Sequence, residues 1–382
     1  MTGAQQAANP TRHPRRSSVN IVIPYDSGIH RRALALFVAP LLEARGHTVQ
    51  VVHPMHRSQR EIGDYVASCD VLVTTTPWWC YANMWINAAH HFGKPWVYHP
   101  EGWDNCHPLV SPQEQGHAKN QPWPFIPDRM CAHGTAQGRV LTGLRHVPPE
   151  QITYTGGPRF DVYGIYWDEI RNQGSPFTDT ERPVILVCTT DLWDHTFLIQ
   201  AIKDAGYAPV ISQHPVDLYD RYDHLRCRII RAPGSDATSP LRDHGYDPGV
   251  EQLLAYARQL AHADVVVNVA GTPSLEAHIL GTPVVNINCL PDEAPERERG
   301  KLYCHYGMGS YFLDTKPGET SYLATSRADI PVCVERALGG PDDERRAAIS
   351  TMLQDVLSIT YTQDRPSQDA SFSICNAIEG SV

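Results

Sequence analysis

The chain has 382 residues, 42% of them hydrophobic and 19% charged, with a formal net charge of −10 at pH 7. That length exceeds the roughly 250–300 residues at which a single core stops growing, so two domains are expected. The acidic balance argues against a broad phosphate-gripping surface, which clustered Lys and Arg would have to supply, while leaving room for a local basic groove.

Met1–Ser18 is polar, holds Arg12, Arg15 and Arg16, and lacks the apolar core of a signal peptide. It predicts a disordered tail on a cytoplasmic protein, and no later stretch is apolar and long enough to cross a bilayer. The 10 cysteines include no CxxC pair, which suits free thiols in a reducing compartment. Cys131-Ala132-His133 and Cys106-His107 find no second matching pair, so no zinc site is expected.

Val19–Ile23 reads as a first strand, followed by the loop Pro24–Gly28 and a helix over His30–Ala44, with Gly46 as its C-terminal stop. Thr48–Val52, Asp70–Thr74 and Pro95–Tyr98 read as further strands, then Asp128–Ala132, a helix over Thr135–Leu144, and Gln151–Thr155. Asp168–Arg182 is polar and broken by Gly174, Ser175 and Pro176, the composition of a linker. A second β-α-β series follows. Its strands are Pro183–Cys188, Pro209–Ser212, Arg228–Arg231, Asp264–Val269 and Pro283–Ile287. Its helices are Thr196–Ala205, Gly249–His262, Ser274–Leu280, Pro341–Leu357 and Ala370–Ile378. The fold class is therefore α/β with two Rossmann-like domains facing across a cleft. Residues 1–18 form the tail, 19–167 the first domain, 168–182 the linker and 183–382 the second domain, whose last helices could pack back on the first. Parallel sheets bind ligands beyond the carboxyl ends of their strands, so chemistry is sought in the strand-end loops.

The most informative segment is Ala263–Ala277. A buried β-branched run meets Gly271, and Thr272, Pro273 and Ser274 open a helix. Free N–H groups at such a helix start can hold a diphosphate, and Gly271 lets backbone approach a ligand closely. Thr272 and Ser274 can add hydroxyl bonds, and the acceptor-only Glu276 suits a ribose diol. Local capping by Thr or Ser, with Glu as its carboxylate, explains the same letters without a ligand. Thr189 and Thr190 end the first strand of the second half, where they would wall the same cleft or simply make a strand-to-helix turn.

The run GTPSLEAHILGTPVVNI, Gly271 to Ile287, resembles the donor-binding segment of GT-B glycosyltransferases. It is similar to the versions in lipid-A-disaccharide synthase, in CDP-glycerol glycerophosphotransferase-like proteins and in non-hydrolysing UDP-N-acetylglucosamine 2-epimerase. The run Gln151–Asp161 resembles the I-x-V-T-G-N-P-R-x-D motif of several of these families, with Gly157 where Asn is usual, and Ser212-Gln213-His214-Pro215 resembles their H-P segment. The resemblance implies a GT-B fold, a diphosphate held at Gly271, Thr272 and Ser274, a ribose on Glu276, and His214 against the donor phosphates. It covers about Val19 to Ile378 in outline, and only those three segments are specific.

The first domain should then hold the acceptor. Trp78, Trp79, Tyr81 and Trp85 follow a strand end and could stack on an acceptor, or could be helix-packing bulk. His99–Asp104 ends another strand, in the region where related GT-B enzymes place a base. Glu101 is the first candidate, then Asp104, His99 and Asp26, although any one of these could be structural. The implied activity is metal-independent transfer of a sugar from a nucleotide diphosphate sugar, used as co-substrate and not as a cofactor, to an acceptor hydroxyl. Three other readings stand beside it: a 2-epimerase acting on the nucleotide sugar alone, a transferase acting on a DNA nucleobase, and a non-enzymatic two-lobed binding protein. The 2-epimerases carry a Gly-Gly pair where this chain has Ala270-Gly271-Thr272-Pro273, the nucleobase reading meets the net charge of −10, and a binding protein of that kind would normally be exported.

Overall fold

The computed structural model describes residues 18–24, 34–52, 57–75, 80–100, 125–178, 181–190, 194–215, 217, 220–231, 249–269, 271–291, 293–296, 299, 302, 315–362, 365–367 and 369–382. The first half opens with β1 (Asn20–Pro24) and a π-type turn over Leu34–Val38 that runs into α1 (Ala39–Ala44). The beginning of the helix expected from His30 lies outside the described residues. β2 (Thr48–Val52), α2 (Gln59–Ser68), β3 (Val71–Thr74), α3 (Cys80–His91), β4 (Trp96–Tyr98), β5 (Arg129–Ala132), α4 (Thr135–Arg145) and β6 (Ile152–Tyr154) follow. α2 starts where Ser58 and Glu61 form a reciprocal capping box, a signal that the strand-centred reading passed over.

The six strands form a parallel sheet in the order β2-β1-β3-β4-β5-β6. Val71, Leu72 and Val73 of β3 are fully buried, as expected of a central parallel strand covered on both faces.

Two short helices, α5 (Asp161–Ile165) and α6 (Trp167–Asn172), lead into the second half. They correct the linker expectation. Ile170 is fully buried, its carbonyl accepts from His262 Nε2 at 3.2 Å, and Glu169 pairs with Arg258 at 2.6 Å. The first part of 168–182 is therefore a packed element, anchored to the second half by an apolar residue between polar ones.

The second sheet is built from β7 (Ile185–Cys188), β8 (Pro209–Ser212), β9 (Arg228–Ile230), β10 (Val265–Asn268), β11 (Val284–Ile287) and β12 (Tyr322–Ala324), in the parallel order β12-β11-β10-β7-β8-β9. Its main helices are α7 (Thr196–Asp204), α8 (Val250–His262), α9 (Thr272–Ile279), α10 (Pro317–Thr320), α11 (Asp329–Leu338) and α12 (Asp343–Leu357). The chain ends with a hairpin of β13 (Thr360–Thr362) and β14 (Arg365–Ser367), then α13 (Ala370–Glu379).

α13 returns to the first sheet, where Ile374, Cys375 and Ile378 join Ile21, Ile23, Val71 and Val97 in one buried cluster. Asp161 fixes its start, accepting from Ala370 N at 3.2 Å and Ser371 N at 2.8 Å. At its end Glu379 accepts from Arg45 at 3.2 Å and lies 3.0 Å from His47. Gly134 lies directly against the backbone at Asp355 and Val356, so the α12 terminus and the β5–α4 turn meet without side chains between them. The fold thus consists of two Rossmann-like α/β units, each with its own sheet, and the last helix crosses back. No helix among the described residues is long and apolar enough to span a membrane.

Candidate functional site

Strand order locates the crevice. In the second sheet β7, β8 and β9 run outward one way and β10, β11 and β12 the other, so connections diverge between β7 and β10, the position where open α/β sheets take ligands. Cys188 of β7 pairs with Asn268 of β10 on one side and Ser212 of β8 on the other. The strands therefore bring Thr189, Gln213-His214 and the Gly271 turn to one edge, although they are far apart in the chain.

Each candidate there has a defined setting. Gly271 is the N-cap of α9, with extended backbone, and a Cβ on it would come within 3.2 Å of Pro273 and 3.3 Å of Asn268. Thr272 begins the helix and is half-buried. Ser274 departs from the expectation of a ligand hydroxyl. It is buried, its N–H donates to Gly271 O at 3.1 Å, and its Oγ donates to Asn286 and accepts from Asn268 at 2.9 and 3.0 Å. It therefore shapes the turn from behind.

Thr189 is also directed inward. Its hydroxyl donates to Asp217 at 3.2 Å and accepts from His214 N at 2.9 Å, and the His214 carbonyl accepts from Asp217 N at 3.0 Å. Asp217 is in turn paired with Arg221 at 2.7 Å. This network holds the His214 backbone at the mouth of the crevice and leaves the His214 residue half-buried. Thr190, also half-buried, is next along the rim.

Glu276 is 4% exposed, and its Oε1 accepts from Arg159 Nη2 at 2.8 Å. Arg159 belongs to the turn after β6, so this pair joins the end of the first sheet to α9 of the second half. Arg159 is the cation of the motif after β6, and its local sequence does not mark this role. The only hint was a cation at the end of a conspicuous Gly-Gly-Pro run, and its partner is 117 residues away.

In the first sheet, Thr75, His99 and His133 follow the adjacent strands β3, β4 and β5. His99 is fully buried, and its ring centre is 5.1 Å from that of His133. Burial, then the neighbouring His133, holds its pKa well below the ordinary imidazole value. A neutral, water-excluded imidazole of that kind is a poor general base at pH 7, which is the physical case against His99 in that role.

His133 Nε2 donates to the carbonyl of Pro100 at 2.8 Å. The Gly at position 157 now has a reason. A Cβ there would be 3.0 Å from the Phe160 ring and 3.1 Å from His133 Cε1, so the imidazole occupies the space that a side chain would need. Gly156 beside it has φ +79°, a conformation open to glycine.

Trp85 is corrected. It is fully buried in the core of the first half, 5.9 Å from Tyr65 between ring centres, and offers no face for stacking. Tyr81 lies in α3. Glu101, Asp104, Asp26, Trp78 and Trp79 lie outside the described residues. Among the described residues no group of three or more His, Cys, Asp or Glu side chains converges on a common point.

Compared with known proteins, the chain matches no family model and no curated protein sequence. Solved structures do match along nearly its whole length. Staphylococcus aureus MnaA in complex with UDP aligns with a TM-score of 0.59 at 13% identity, covering 94% of this chain and 96% of that one. Methanocaldococcus jannaschii UDP-GlcNAc 2-epimerase with UDP-GlcNAc and UDP gives 0.51 at 12%, covering 87% and 98%. The wall teichoic acid polymerase TagF with CDPG gives 0.53 at 13%, covering 95% and 88%. The protein has the GT-B fold. Identities this low establish the architecture and leave the chemistry to the residues.

Proposed function

We propose that this protein is an enzyme that binds a nucleotide diphosphate sugar in its second half and transfers the sugar to an acceptor hydroxyl. The observation that carries this reading is the Gly271–Thr272 start of α9 at the point where β7 and β10 diverge, with Glu276 one turn further along. The positive end of the α9 dipole faces that crevice and suits the charge that grows on a leaving diphosphate. His214, held by its backbone at the neighbouring strand end, supplies a second polar group there. Glu276 uses Oε1 for Arg159, and its other oxygen is proposed to accept from a ribose hydroxyl. The bound nucleotides of the compared structures, UDP, UDP-GlcNAc and CDPG, support a nucleotide ligand.

The acceptor base is proposed to be a carboxylate of the first half, Glu101 before Asp104 or Asp26, which would take the hydroxyl proton as the new bond forms. His99 ranks after them, because burial lowers its affinity for a proton. No step in this scheme requires a metal ion, and solution in the cytoplasm remains part of the proposal.

Proton NMR of the sugar anomeric region tests the reading. Nucleotide sugar alone should hydrolyse slowly, and an added acceptor should release nucleotide diphosphate quickly. Glu276→Ala should weaken nucleotide binding by roughly 1–3 kcal/mol in calorimetry with UDP, CDP, GDP and dTDP. Rapid formation of a 2-epimer without acceptor would replace transfer by epimerisation, and absence of any nucleotide binding would end both.

A further inference from the structure

At the opposite edge of the second sheet lies a cavity of about 420 Å³, between the end of α9, the start of β11 and the side of α12. Its volume is in the range of small-molecule sites. Three guanidinium groups, Arg171, Arg345 and Arg346, line it, with no Asp or Glu among the lining residues. Arg346 pairs with Asp343 at 2.6 Å. Arg171 ends on the carbonyl of Leu280, and Arg345 ends on the carbonyls of Glu319 and Ser321 at 3.0 and 2.9 Å. Neither has a carboxylate partner among the described residues. The remaining wall is largely aliphatic and aromatic, with Trp167 and Tyr361 among its residues.

His278 also lines this cavity, is 3% exposed, and has no hydrogen bond at Nδ1 among the described residues. Its other nitrogen ends a buried chain of hydrogen bonds. Asn268 donates to Gly271 O at 3.2 Å and Ser274 Oγ at 3.0 Å, Ser274 to Asn286 Oδ1 at 2.9 Å, and Asn286 to Ser321 Oγ at 2.8 Å. Ser321 lies 3.2 Å from His278 Nε2. Ser321 Oγ also lies 3.4 Å from Thr320 Oγ1, so the Ser321–His278 bond can run in either direction, and the chain of bonds reaches the imidazole on the cavity wall with either ring tautomer. Burial, then Arg345, lowers the His278 pKa to about 3, which keeps the ring neutral at pH 7. The cavity therefore gathers hydrogen-bond donors and positive charge within an apolar enclosure.

We infer that this cavity is a second ligand site for a small organic anion with an apolar or aromatic body, and that its occupancy is felt at the Gly271 turn through His278, Ser321, Asn286, Ser274 and Asn268. The two sites lie at the two ends of α9. A ligand packed against the His278 side of the cavity displaces the imidazole and hence strains every bond of the chain behind it. Coupling between sites is a difference in binding free energy, and it acts in both directions. The cavity stands independently of the donor reading, whereas coupling to nucleotide affinity rests on it.

The probes are benzoate, the neutral benzyl alcohol and inorganic phosphate, added to the whole protein. Calorimetry should detect benzoate, with benzyl alcohol and phosphate each weaker by roughly tenfold or more. Ser350→Trp, from an exposed α12 position on the cavity wall, should abolish benzoate binding while the melting temperature holds. Arg345→Gln should weaken it. Benzoate should slow hydrogen exchange of the 271–279 amides and change UDP affinity by about fivefold, and Ser321→Ala should remove both effects while benzoate still binds. Failure of benzoate to bind, or equal binding in Ser350→Trp, overturns the site. Binding without any change in exchange at 271–279 overturns the coupling. Failure of UDP to bind refutes the donor reading alone, because the exchange measurement needs no nucleotide.

Discussion

Arg159→Met should destabilise this protein more than its surface position suggests. The guanidinium of Arg159 is 23% exposed, but the Glu276 carboxylate it neutralises is only 5% exposed. Removing one partner of a buried pair strands the other charge, at about 3–5 kcal/mol where both are fully buried. Water can reach the Arg159 side, so the lower end, about 3 kcal/mol, is expected here. For a unit of this size each kcal/mol moves the melting temperature by roughly 2–4 °C, giving a fall of about 6–12 °C. Glu276→Gln strands only a guanidinium that can turn to solvent, and should cost about 1 kcal/mol. The double variant should then be more stable than the sum of the singles predicts, by roughly 1–3 kcal/mol. Urea titrations of the four proteins give the cycle. A cost for Arg159→Met under about 1 kcal/mol, or strict additivity, would show that the pair is not a desolvated bridge and would remove the link it makes between the turn after β6 and α9.

Three further expectations follow from buried groups. His278 has its pKa lowered to about 3 by burial, so its contribution is complete above the ordinary value near 6.5 and is lost as pH falls from there toward 3. His278→Gln should flatten that acid limb, whose slope per group reaches about 1.4 kcal/mol per pH unit, in denaturant melts between pH 7 and 4; an unchanged slope would contradict the assignment. Asp161 runs the other way. Burial raises its pKa to about 6 against the donors Ser371 and Ala370, so its contribution is complete below about 4 and fades as pH rises through 6, and Asp161→Asn should remove that decline. If the decline persists in Asp161→Asn, its source lies elsewhere. Gly134→Ala would place a methyl 2.3 Å from the carbonyl oxygen of Asp355, backbone against backbone, and should cost roughly 3 kcal/mol. A wild-type melting temperature would show that α12 can move away from α4 at little cost.

The sequence by itself determined the elements whose causes are local. Val265–Asn268 is a β-branched run, Gly271 and Pro273 punctuate it, and the helix that follows needs nothing distant to form. The alternation of such units was enough for two Rossmann-like halves, and the motif around Gly271 was enough to resemble GT-B proteins. β12 carries little local signature, being three residues long at a sheet edge, whereas α11 was legible in the helical spacing of Ile330, Cys333, Val334 and Ala337.

Only the tertiary structure decided what each side chain faces. Trp85 could equally have stacked on a ligand or filled a core, and a tryptophan's letter does not record which. Ser274 and Thr189 carry the hydroxyls a diphosphate would want, yet both are taken by neighbours that only the sheet order brings near. Arg159 meets Glu276, and His133 fills the space left at Gly157, because chain closure joins segments that no local rule connects. Local backbone preference acts over a few residues, whereas a polar group's partner is fixed by the whole fold that buries it.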